Sequence, residues 1–84
     1  MGIMGIEYRI EFAVPENYAP DVFLRHLPSP ISRPKMYEIY NYAIEPWGFY
    51  FIDHLVDQET SSLALRLFLD EALAVSDSVR ISTL

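Results

Sequence analysis

Met36-Tyr37-Glu38-Ile39-Tyr40-Asn41-Tyr42-Ala43-Ile44 is followed by Glu45-Pro46-Trp47-Gly48 and then by Phe49-Tyr50-Phe51-Ile52-Asp53-His54-Leu55-Val56. Both flanking runs are rich in β-branched and aromatic residues, which suit a pleated, half-buried surface. Between them, proline at the second place of a four-residue turn presets φ, and glycine at the fourth closes it. The chain is therefore expected to reverse there in a type I hairpin turn. Residues 35–44 and 49–56 are predicted to be two antiparallel strands, the second and third of the fold.

Upstream, residues 6–14 alternate, with Ile6, Tyr8, Ile10, Phe12 and Val14 on one face and Glu7, Arg9, Glu11 and Ala13 on the other. That period of two marks a half-buried first strand. Pro15 ends it. Pro20-Asp21 then offers a preset φ and a negative charge where a first helical turn favours both, which predicts a helix to Leu27 with Val22, Phe23, His26 and Leu27 inward. Pro28, Pro30 and Pro34 make the following residues a loop.

Downstream, residues 57–62 are polar and suited to capping, and residues 63–74 contain helix formers without a β-branched residue. Leu63, Leu65, Leu67 and Leu69 also alternate as a strand would. Composition decides for helix, with Leu65, Phe68, Leu69, Ala72 and Leu73 as its inner stripe. Asp77-Ser78 turns the chain into a last strand over 79–83. The order β-α-β-β-α-β predicts an α+β, ferredoxin-like two-layer sandwich, an antiparallel sheet with two helices on one face.

The 84 residues leave room for one core, so residues 1–84 are expected to form a single domain. A hydrophobic share of 51% is too high for a disordered chain. There is no cysteine, which removes disulfides and zinc-thiolate sites and fits a reducing compartment. No apolar run is long enough to span a bilayer. Residues 1–6 lack the pattern of a signal peptide, and Ile6 stands where a myristoylation signal wants Ser or Thr. The expected location is cytoplasmic.

Gly48-Phe49-Tyr50-Phe51-Ile52-Asp53-His54 resembles the RNP1 stretch of RNA-recognition motifs, whose aromatics stack on bases. The resemblance implies an RNA-binding surface on the third strand. It departs from the pattern at Trp47 in place of a basic residue, Tyr50 in place of a small one and His54 in place of the last aromatic. Six Lys and Arg against twelve Asp and Glu, a net charge of −6, also repel a polyanion, so the charge balance argues against nucleic acid.

The second and third strands are apolar on both faces, more than a two-layer sandwich can cover. The surplus is expected on an open face or edge, where it would serve association. Tyr40, Tyr42, Trp47, Phe49 and Phe51 are the expected contact residues for a protein partner or a second copy. Leu63 and Leu67, outside the helical stripe, point the same way. A second surface is suggested by charge: between Val22 and Tyr37 there is no acid, yet Arg25, Arg33 and Lys35 lie there with His26. Such a cluster suits a phosphate or carboxylate, and it equally complements the negative end of a helix dipole.

Chemistry finds less support. Asp53-His54 with Asp57 and Glu59 is the nearest approach to a metal or acid–base group, but neighbouring strand residues point to opposite faces. No nucleophile signature or phosphate-cradling glycine loop is present, and no cofactor, metal or enzymatic activity is expected. The last residues, Arg80-Ile81-Ser82-Thr83-Leu84, match the loose pattern of a PDZ ligand, which adds a strand to a sheet edge. Three readings stay open: an acidic accessory protein acting by protein association, a regulatory domain binding a small anionic metabolite, and a divergent RNA binder.

Overall fold

The computed structural model describes residues 5–28 and 36–84. Strand β1, Ile6–Phe12, is the alternating segment, and it lies inside the sheet between β3, Gly48–Asp53, and β4, Val79–Thr83. Strand β2, Tyr40–Glu45, pairs with the far side of β3. The sheet order is β2-β3-β1-β4, and every neighbouring pair is antiparallel. The class is α+β.

Directly opposed residues of an antiparallel ladder share a face. Ile10 stands opposite both Phe49 and Ile81, and Phe51 opposite both Tyr8 and Tyr42. These residues form the inner face. Glu7, Arg9, Glu11, Tyr50, Ile52, Arg80 and Ser82 fall on the outer one.

Among the described residues two single turns, α1 at Asp21–Leu24 and α2 at Met36–Ile39, precede the long helix α3, Gln58–Val75. The leucine-rich segment is thus helical rather than extended. Asp57 starts α3 by accepting the Thr60 N–H at 3.1 Å and its hydroxyl at 2.9 Å, satisfying a donor that the first turn leaves free. The helix lays Ser61, Ala64, Phe68 and Ala72 against the sheet. The buried stripe therefore runs one position away from the leucines expected to form it: Leu65 and Leu69 pack at its margin, and Leu73 is exposed. Ala64 and Ala72 let the helix approach closely, and Phe68 between them fills the centre. Its ring meets Phe23 at 4.9 Å, Phe49 at 5.1 Å, Tyr42 at 5.2 Å and Phe51 at 5.5 Å.

Three boundaries differ from expectation. The first helix is one turn instead of eight residues, because prolines at both ends leave too short a span for a sustained ladder. After Arg25 N–H donates to Asp21, His26 donates to Phe23 and Leu27 to Leu24, three residues back, which tightens and ends the turn. Phe23 and Leu27 pack on the core as expected, whereas Val22 and His26 are exposed.

The second strand begins at Tyr40, since residues 36–39 form α2. The Asn41 amide donates to the Tyr37 carbonyl at 2.8 Å, a local side-chain bond that joins this turn to the start of β2. The third strand ends at Asp53, not at Val56. Its carboxylate accepts the Leu55 N–H at 2.8 Å, bending the chain through Leu55, which takes φ +62°.

Candidate docking surface

Tyr40, Phe49 and Phe51 have no exposed surface. They belong to the inner face, where Tyr40 stacks on Phe51 at 5.3 Å and Phe49 meets Phe12 at 4.9 Å. These three expected contact residues are core. Tyr42 is half-buried beneath α3, and Trp47 alone reaches the outer face, its ring under the Arg9 guanidinium at 4.3 Å. Register explains the division: Phe49, Phe51 and Tyr42 share the face that α3 covers, and the turn carries Trp47 away from it. The surplus rings of the RNP1-like stretch consequently point inward, and Tyr50 is the ring that faces out. Its hydroxyl donates to Glu7, and this hydrogen bond, with burial and the Glu7 charge, pushes its pKa up to about 12.

The outer face sets Trp47, Tyr50 and Ile52 among charges of both signs. Arg9 Nε lies 3.5 Å from Glu11 Oε2, both side chains partly exposed, so the pair contributes little to stability. Of the expected anion site, Arg25 is exposed, while Arg33 and Lys35 lie outside the described residues. His26, beside Arg25, lines a groove of about 370 Å³ with Val22, Phe23, Leu67, Asp70 and Glu71. Asp70 is paired with Arg66 at 3.0 Å, and Glu71 accepts the Tyr18 hydroxyl at 2.6 Å. That hydroxyl has its pKa raised by burial first and then by Glu71. Two carboxylates oppose an anion in this groove.

Asp53 and His54 take separate partners. The Asp53 carboxylate serves Leu55 and Gln58, whereas His54 Nε2 lies 2.7 Å from the Asn41 amide. Among the described residues no group of three or more His, Cys, Asp or Glu side chains gathers around a common point, and no helix is long and apolar enough to cross a membrane.

Large apolar side chains are left exposed at several places among the described residues, Val22, Tyr37, Val56 and Leu63 among them, and others stand at the end of α3 and along the β4 margin. Leu73 is 58% exposed, Ile81 44% and Leu84 67%. Ile81 belongs to the inner face, opposite buried Ile10, yet β4 is the outermost strand and its inner side is incompletely roofed. The signal for this margin was present in the alternation of Val79, Ile81 and Thr83, but which strand becomes an edge depends on pairing. No family model, curated protein or solved structure matches the chain.

Proposed function

We propose that this protein is a non-enzymatic accessory or regulatory module that acts by association with protein, and that its scaffold is the ferredoxin-like βαββαβ sandwich. The scaffold reading is supported by strand order β2-β3-β1-β4 with all neighbours antiparallel, the arrangement two interleaved βαβ units produce. The two single turns in the first crossover stand where that fold carries a full helix. The observation that carries the association reading is the open edge of β4, along which Ile81 on the inner face and Leu84 on the outer one stand exposed, with Leu73 exposed near the end of α3. Anion binding through Arg25, Arg33 and Lys35 and RNA binding on β3 have less support, given the carboxylates near His26 and the inward rings of Phe49 and Phe51.

Affinity capture from the source cell, read by mass spectrometry alongside a native mass of the purified chain, tests the association reading. The expected result is a stoichiometric protein partner or a second copy that is lost with Leu73→Asp or Leu84→Asp. A monomer that retains nothing in stoichiometric amount, or a complex indifferent to both substitutions and to changes in β4, overturns it.

A further inference from the structure

We infer that β4 is the seam of a two-fold symmetric homodimer, in which Val79–Thr83 pairs antiparallel with the same strand of a second copy in a register centred on Ile81. This inference rests on the association reading and names its partner. It follows from where the backbone of β4 points.

The Leu84 N–H donates to the Glu7 carbonyl at 3.0 Å, which makes Glu7 and Leu84 a hydrogen-bonded pair of the β1–β4 ladder. Such pairs alternate along an antiparallel ladder, so Arg9 with Ser82 and Glu11 with Arg80 are of the same kind. The intervening residues Val79, Ile81 and Thr83 consequently direct N–H and C=O away from β1, toward the open edge. Among the described residues nothing bonds to these groups. They sit symmetrically about Ile81. A two-fold axis there places Ile81 opposite Ile81 and Val79 opposite Thr83 as hydrogen-bonded pairs, and leaves no outward group of the strand unmatched.

The side chains agree with this register. On the inner face every apposed pair is β-branched, Ile81 with Ile81 and Val79 with Thr83, a favourable cross-strand combination. On the outer face Arg80 comes beside Ser82 of the second copy and remains opposite Glu11 of its own β1, so like charges do not meet directly. Proteins guard free edges with proline, lysine, bulges or covering chain. Strand β4 has no proline or lysine and pairs with β1 without a bulge. At the other edge, the inner face of β2 is better covered than that of β4: Tyr40 is fully buried with its hydroxyl donating to the Pro28 carbonyl at 3.1 Å, and Tyr42 packs on Phe68. A five-residue seam is shorter than a standard interface provides, which makes the dimer reversible and dependent on concentration.

The test uses the full 84-residue chain. Light scattering across the micromolar range is expected to show the mass rise from 9.7 kDa toward twice that value, and Ile81→Lys is expected to hold it at one chain. Ile81 is partly exposed, so circular dichroism of Ile81→Lys should match the parent and separate lost pairing from lost folding. Because the chain has no cysteine, register is read directly by mixing Arg80→Cys with Ser82→Cys under mild oxidation. The non-hydrogen-bonded apposition of these positions, about 4.5 Å between Cα atoms, lies within the usual disulfide range. The mixture is expected to cross-link faster than either variant alone and faster than Leu63→Cys, a control on the exposed side of α3.

A monomer at every concentration overturns the homodimer. A dimer whose mixed cysteines react no faster than Leu63→Cys overturns the seam and leaves the association reading standing. A monomeric chain that captures a different protein, and loses it with Ile81→Lys, overturns the second copy as occupant and assigns the edge to a foreign strand.

Discussion

The Tyr50 hydroxyl donates to Glu7 Oε1 at 2.7 Å across the outer face, although in register Tyr50 stands opposite Arg9 and Glu7 opposite Ile52. This is a diagonal contact of the β1–β3 ladder, within reach of a long aromatic side chain. It ties together the two strands that carry the centre of the sheet.

Alkaline stability should report it. The hydrogen bond to Glu7, then burial, pushes the Tyr50 pKa up to about 12, and burial followed by the neighbouring Tyr42 does the same for Tyr40. A folded-state pKa above the unfolded value favours the neutral ring in the fold. The corresponding stability is fully present below the ordinary tyrosine value of about 10 and is lost as pH rises from there through about 12. Thermal melts are expected to fall over that interval, with ultraviolet absorbance showing late tyrosine ionisation. Tyr50→Phe should cost about 0.5–1.5 kcal/mol at neutral pH and reduce the alkaline loss. An unchanged melt in both tests would show that the contact is not formed in solution.

Phe68 is the ring on which Phe23, Tyr42, Phe49 and Phe51 converge. Phe68→Ala should destabilise the domain by about 3–5 kcal/mol, a large share of the total stability of a chain this size. Leu63→Ala, on the exposed side of the same helix, should change stability by less than about 0.5 kcal/mol. Urea unfolding of the two variants compares them directly; similar losses would mean that α3 does not pack through Phe68.

Gly48 has φ +146°, and a Cβ there would stand 2.0 Å from the Ile10 carbonyl oxygen. Strand β1 passes so close to the hairpin that no side chain fits. Gly48→Ala is therefore expected to lower the urea midpoint by more than an ordinary glycine substitution, with a loss above about 1 kcal/mol. A near-neutral result would exclude this packing of the hairpin on β1.

Asp57 has its pKa lowered first by the Thr60 backbone N–H and then by the Thr60 hydroxyl. A depressed folded pKa places the stabilisation above the unfolded carboxylate value and removes it as pH falls through the folded one. Asp57→Ala should therefore melt below the parent at neutral pH, and the gap should close in acid. Calorimetry from neutral pH downward measures it; a gap constant with pH would assign the effect to something other than the ionised cap.

Local pattern was enough to read much of the secondary structure. Alternation in β1, the Pro46-Trp47-Gly48 reversal and the absence of β-branched residues over 63–74 were sufficient, because each is set by side-chain period or backbone preference within a few residues. Which apolar residues are surface was settled by how the strands pair and where α3 packs. Tyr40, Phe49 and Phe51 read from the chain as surplus aromatics, and cross-strand register put them on the one face that α3 covers. The tertiary structure also decided that β4 is an edge and that Ile81 stands half uncovered beside backbone groups that no described residue pairs. Strand pairing is a long-range relation between segments far apart in sequence, and burial is a sum over all of them. No window of local pattern contains that information.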